Sequence, residues 1–295
     1  MTSPADTPDD APHDAHTTLL ASAPPAREVI YRHTLLVRLS HWVNALVIFL
    51  MIGSGLNIFN AHPRLYWGLA GDQYDRALLS IGPAVVHGVV RGVTQIGDWR
   101  IDTTGVLGWS KSHGTWSGVA WPVWLTIPSF RDLADARHWH FFFAWVLAAN
   151  GALYLIWSLV SRHLQRDLWP TLADMRSIPH SVAEHLRNRH PTGEAAKRCN
   201  VLHRLAYLGL IGLVVGMVTT GLALSPGVDA FARWLPALLG GRQTARTLHF
   251  ICMSGIVAFI VVHLAEVVLA GPINEIGSMI TGRYRVPADH SAKGQ

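Results

Sequence analysis

The stretch from Thr244 to Leu269, TARTLHFICMSGIVAFIVVHLAEVVL, constrains this chain more than any other, because it is apolar, long enough to cross a bilayer and carries two histidines. His249 and His263 lie 263 − 249 = 14 positions apart, which on an α-helix is about 21 Å of rise and just under four turns. The two imidazoles therefore point to nearly the same side at two depths. An imidazole inside lipid is costly unless it faces a partner. Two readings follow: each histidine is an axial ligand to its own haem, the pair forming a two-step electron ladder, or both are hydrogen-bonded histidines of a helix bundle. This helix alone does not choose between them.

Composition supports the membrane reading. Of 295 residues, 50% are hydrophobic and only 15% charged, a balance in which a soluble domain of this length is not expected. Four apolar runs are long enough to span: Leu35 to Phe59, His138 to Val160, Val201 to Leu224 and Leu248 to Leu269. A formal charge of +5 is compatible with nucleic-acid binding, but in a membrane chain the placement of the charges matters more than their sum. Residues 161–200 hold Arg162, Arg166, Arg176, Arg187, Arg189, Lys197 and Arg198, a density well above that of the longer segment 60–136. The expectation is a cytoplasmic loop at 161–200, a periplasmic loop at 60–136 and both termini in the cytoplasm. Cys199 and Cys252 show no spacing for zinc or for covalent haem attachment, so any haem is held by coordination alone.

Along the chain, residues 1–30 read as a disordered cytoplasmic tail; its Pro, Asp, Ala and Thr surround no apolar segment, and its His13 and His16 read as solvated. The first span places His41 six residues in from Leu35, and His263 lies six residues before Leu269. Because these helices run in opposite senses, both imidazoles sit about 9 Å from the same membrane edge. The outer segment 60–136 carries six tryptophans with many Gly and Pro, which suggests short helices and turns at headgroup level, serving as a docking platform. Nothing in the spacing of its His62, His87 and His113 resembles a metal site.

The second span opens with His138 and His140, about 200° apart on a helix, so only one can face the bundle. Geometry leaves the choice open. Asn150 reads as a hydrogen-bond partner to a neighbouring helix. Glycines of the spans, such as Gly53, Gly55, Gly216 and Gly255, either let helices approach closely or leave room for a flat macrocycle. His203 lies near the cytoplasmic edge, where it could touch a quinone or a haem propionate. Arg246 shares the face of His249 and could pair with a propionate or simply anchor the interface. Glu266, one turn after His263, could relay a proton to a quinone or reach out to water.

The runs RLSHWVNAL, NAHPRLYWG, RHWHFFFAW, GGRQTARTLHF and MITGRY, in this order between Arg32 and Tyr284, closely resemble the cytochrome b subunits of thiosulfate reductases, within the wider group of bacterial di-haem membrane cytochromes of nickel-iron hydrogenases and formate dehydrogenases. The resemblance implies two b-type haems held by His41, His140, His249 and His263, and it is what decides for His140 over His138. Depth then pairs His140 with His249 and His41 with His263. It further implies a quinone site near His263, for which Asn200, His203 and Glu266 are the candidates, and a periplasmic molybdopterin-type oxidoreductase partner acting on sulfur compounds.

The expected fold is an all-α membrane protein: a four-helix transmembrane bundle over residues 31–285, a long periplasmic loop carrying short surface helices, and a flexible tail at 286–295. The expected function is transmembrane electron transfer in a respiratory chain of the bacterial inner membrane, with a quinone-reactive site of its own as a further option. Two rivals stand beside it: a free-standing superoxide:quinone oxidoreductase of the same architecture, and a haem-free membrane anchor.

Overall fold

A computed structural model describes residues 29–72, 74–112, 114–162 and 201–286. Four helices are long and apolar enough to cross a membrane: α1 (Leu35–Ala61), α2 (Leu133–Val160), α3 (Val201–Leu224) and α6 (Arg242–Ala270). Between α3 and α6 come two short helices, α4 (Pro226–Asp229) and α5 (Trp234–Leu238), and after α6 comes α7 (Pro272–Thr281). Thr34 begins α1 as its N-cap, and Asp132 begins α2, its carboxylate accepting from the Ala134 and Asp135 amides at 2.8 and 3.0 Å. Each satisfies donors that the first helical turn leaves open. The spans are well supplied with exposed apolar side chains, Leu46, Phe49, Phe142, Trp145 and Val262 among them, as helices facing lipid require.

The spans form two pairs. α1 packs along α2, and α3 packs along α6, while contacts between the pairs are sparse. Val47 and Met51 meet Leu147 in the first pair, and Asn150 donates to the Ser40 carbonyl at 3.1 Å and to Asn44 Oδ1 at 2.8 Å. In the second pair a Cβ on Gly216 would lie 3.0 Å from Cys252 Sγ, and one on Gly255 would lie 3.0 Å from Leu213. These small residues draw α3 and α6 together. Space is therefore left between the pairs rather than within them.

The expectation of short helices over residues 60–136 is corrected. The segment builds a four-stranded antiparallel sheet in the order β2-β3-β4-β5, from β2 (Arg64–Leu65), β3 (Leu79–Val86), β4 (Val89–Ile96) and β5 (Trp99–Asp102). A hairpin of β6 (Ser110–Ser112) and β7 (Thr115–Ser117) and a 3₁₀ turn at Val123–Leu125 follow. The chain is accordingly not all-α. The cause is local: the β-branched runs of β3 and β4 flank a two-residue turn in which His87 and Gly88 both take positive φ, 50° and 79°, the geometry that joins twisted antiparallel strands.

Two further strands close the opposite end of the bundle. β1 (Val29–Tyr31) pairs antiparallel with β8 (Arg283–Arg285), so the end of the expected tail, Val29 and Ile30, is part of the fold. The segment 163–200, which holds the expected cytoplasmic loop, lies outside the described residues.

Candidate functional site

Two pairs of imidazoles face each other across the gap between the helix pairs. The rings of His140 on α2 and His249 on α6 have centroids 6.2 Å apart at 63°. Those of His41 on α1 and His263 on α6 are 6.4 Å apart at 62°. Each pair thus joins one helix of the first hairpin to α6 of the second. His138 is exposed and takes no part, whereas His140 is partly buried.

The spacing can be tested against a metal between the rings. An imidazole nitrogen binds a transition metal at about 2 Å, and the ring centre lies about 1.1 Å further on, so two rings on opposite sides of one ion have centroids about 6.2 Å apart. Both pairs fit. The donor set, four imidazoles and no thiolate or carboxylate, would suit haem iron, with each pair able to supply both of its protein ligands. Among the described residues, no group of three or more His, Cys, Asp or Glu side chains is placed to hold a bare metal ion.

At the sheet end, the hydrogen bonding of the rings sets their chemistry. Ser54 Oγ on α1 lies 3.1 Å from His140 Nδ1, and Thr220 Oγ1 on α3 lies 2.8 Å from His249 Nδ1. Next to each hydroxyl is a glycine against which the ring packs: a Cβ on Gly55 would sit 3.4 Å from His140 Cε1, and one on Gly221 would sit 3.4 Å from His249 Cε1, in van der Waals contact. Ser54 and Thr220 were not among the residues singled out from the sequence. A signal was present, since MIGSGL at 51–56 reappears as MVTTGL at 217–222, and RHWHF at 137–141 as RTLHF at 246–250. The two helix pairs are an internal repeat, in which His140 and His249 are equivalent positions. His41 and His263 are not, and opposite them in the repeat stand Tyr207 and Tyr154.

At the other end, the surroundings of His41 come from the C-terminal segment. Arg38 donates to the Ile280 carbonyl, Trp42 Nε1 donates to the Met279 carbonyl at 3.2 Å, and Arg32 lies 4.4 Å over the Tyr284 ring. The run MITGRY is thus the closure of α1 beside His41. Among the described residues His41 Nδ1 is buried with no hydrogen-bond partner, and His263 stacks on Phe259 with centroids 5.8 Å apart. Outside the span, burial together with the charges of Arg32, His41 and Arg38 lowers the His33 pKa to about 4.

The other sequence candidates fall as follows. Arg246 donates to the His62 carbonyl and lies 5.8 Å over the Phe59 ring, so it ties α6 to the start of the sheet segment. Thr247 donates to the Tyr66 carbonyl at 2.6 Å and Thr244 accepts from the Gly68 amide at 2.7 Å, which joins NAHPRLYWG to GGRQTARTLHF. Burial, with Arg246 and Arg64 nearby, lowers the His62 pKa. Glu266 is half-buried on α6. Asn200 and the side chain of His203 lie outside the described residues. A groove of about 400 Å³ opens between α1 and α2, lined by Leu39, Ser40, Val43, Asn150 and Tyr154, one residue from His41.

Comparison with known proteins accords with this geometry. A protein of Azospira oryzae named as a protein-methionine-sulfoxide reductase subunit, YedZ1, is 36% identical over 137 residues, 46% of this chain and 67% of that protein. The family description of prokaryotic cytochrome b561 matches residues 32–282, nearly the whole of the described fold. The chain belongs to the prokaryotic cytochrome b561 family, an integral membrane cytochrome b that carries electrons through haem.

Proposed function

We propose that this chain moves electrons across the bacterial inner membrane through two haems b, one between His140 and His249 and the other between His41 and His263. The observation that carries the reading is the recurrence of one ring separation, 6.2 and 6.4 Å, at two levels of a single bundle. Haem supplies a one-electron couple at each level, and with imidazole on both faces it transfers electrons rather than binding oxygen. The His249 and His263 positions, about 21 Å apart along α6, set the length of the path.

The partner at the sheet end is an oxidoreductase of molybdopterin type acting on sulfur compounds. The sheet supports a docked protein, because Trp99, Trp116 and Trp124 are exposed there, and aromatic side chains are enriched at binding surfaces. The name of the Azospira oryzae relative, a sulfoxide reductase subunit, is in keeping with a sulfur-type partner. Such a platform also favours a docked partner over the rival reading, in which superoxide is oxidised directly. The basic density of residues 161–200 supports placing the sheet in the periplasm and both termini in the cytoplasm.

Quinone exchanges electrons at the His41–His263 end. Glu266, one turn from His263, with Asn200 and His203, forms one candidate pocket, and Arg246 is the candidate propionate partner at the sheet end. The groove between α1 and α2 favours a second location, since its volume suits a small ligand and its polar edge of Ser40, Asn150 and Tyr154 includes the residue that precedes His41 in α1.

A spectrum of the purified protein tests the core of this reading. A reducible low-spin b-type signal with two haems per chain is expected, and its absence would sink the redox function altogether. Rapid mixing with a soluble ubiquinol analogue then separates the two quinone locations: slowed haem reduction in Glu266→Gln supports the first, and in Tyr154→Phe the second.

A further inference from the structure

The hydroxyls beside the sheet-end imidazoles have a defined polarity. A hydroxyl owns a single proton and two lone pairs. Ser54 Oγ lies 2.8 Å from the Leu50 carbonyl and Thr220 Oγ1 lies 2.6 Å from the Gly216 carbonyl. Each proton is therefore spent on the carbonyl four residues back in its own helix. What each hydroxyl then turns to its histidine is a lone pair, and the Met51 and Met217 carbonyls also lie in hydrogen-bond reach of His140 and His249, so the neighbours of each Nδ1 are acceptors and assign it the donor role. The proton sits on Nδ1 and Nε2 is bare, the tautomer a metal requires.

We propose that Ser54 and Thr220 are positioning residues for the His140–His249 pair, fixing both rings as Nδ1–H tautomers and, by accepting that proton, strengthening both as donors to iron. This rests on the haem reading above. A ligating histidine that donates its second N–H to an acceptor is a more basic ligand, and a more basic ligand stabilises the ferric ion and lowers the midpoint potential. The other pair provides the contrast within the same molecule, because His41 Nδ1 is buried without a hydrogen-bond partner among the described residues. The repeat provides the second line of argument. The two hydroxyls come from matching positions of the two helix pairs, each followed by a glycine against which its imidazole packs. The device is thus built twice, once for each ring of one pair, and not at all for His41.

The experiment is a spectroelectrochemical titration of the full-length, haem-loaded protein, with haem per chain and low-spin electron paramagnetic resonance recorded in parallel. In Ser54→Ala and in Thr220→Val, which keeps the shape of threonine, one redox component should shift upward while the other stays in place. Thr220→Ser, which keeps the hydroxyl, should match wild type. In a His41→Ala background the remaining component should show the same upward shift. An unmoved titration, a shift shared by both components, or a shift that Thr220→Ser also shows overturns the proposal. Should Thr220→Val lose haem instead, retention in Thr220→Ser upholds the positioning role, and equal loss in Thr220→Ser overturns it. Wild-type protein without haem would end the functional reading itself, an outcome separate from all of these.

Discussion

His41 and His263, 222 residues apart in sequence (263 − 41), bring their imidazoles to 6.4 Å between centroids across a gap that their helices do not otherwise close. Two imidazole rings at that distance touch too little of each other to hold α1 and α6 together. A haem between the rings would add its own apolar faces to the bundle, and binding confined to the folded state stabilises that state.

Removing one ligand should therefore act on one level. His249→Ala is expected to lower the haem content from two per chain to about one, with the remaining haem held between His41 and His263. A pyridine haemochrome assay on the purified variant measures this. Loss of both haems together would contradict the pairing.

Asn60 holds the sheet segment to the end of α1 by a reciprocal bond: its Nδ2 donates to the Trp121 carbonyl at 2.9 Å and its Oδ1 accepts from the Trp121 amide at 2.7 Å. Asn60→Ala leaves two backbone groups unpaired, at about 1–3 kcal/mol for a buried group. Faster proteolytic cleavage within residues 114–132, with haem content retained, is the expected result.

Gly241 starts α6 with φ 114°, and a Cβ there would collide with the Gly68 carbonyl. Gly241→Ala should destabilise the protein by about 1–3 kcal/mol from backbone strain alone. The drop in melting midpoint of the detergent-solubilised protein is the measurement. Gly277→Ala, at a partly buried position of α7 with open space where its Cβ would lie, should leave the midpoint unchanged or slightly raised.

Acidification should loosen the β1–β8 end. Burial first, then Arg32, His41 and Arg38, hold the His33 pKa at about 4 against 6.5 for a free histidine. Between these values the unfolded chain binds the proton and the folded chain does not. Stability is therefore complete above pH 6.5 and is lost as pH falls towards 4. Melting midpoints at pH 7 and pH 4.5 should differ less in His33→Gln than in wild type.

Much of this was legible in the residues. Spans of apolar residues announce themselves because lipid forbids unpaired backbone and charge over about 20 positions, and His41, His249 and His263 stood out because imidazole is costly there. The strands of residues 64–117 were missed, although the valine-rich runs around His87 and Gly88 carried a hairpin signal. Counting glycine and proline over a long loop hid the short alternations within it. Ser54 and Thr220 were missed because a hydroxyl in an apolar helix is usually content with its own backbone.

By itself the sequence determined that four helices span a membrane and that histidines lie on them at two depths, since both follow from hydropathy and from the fixed rise of a helix. The tertiary structure decided that His140 rather than His138 faces His249, that the gap lies between helix pairs and not within them, and that two hydroxyls orient one pair of rings. Those depend on how helices distant in the chain are turned about their axes, and rotation is set by packing against neighbours that no local pattern names.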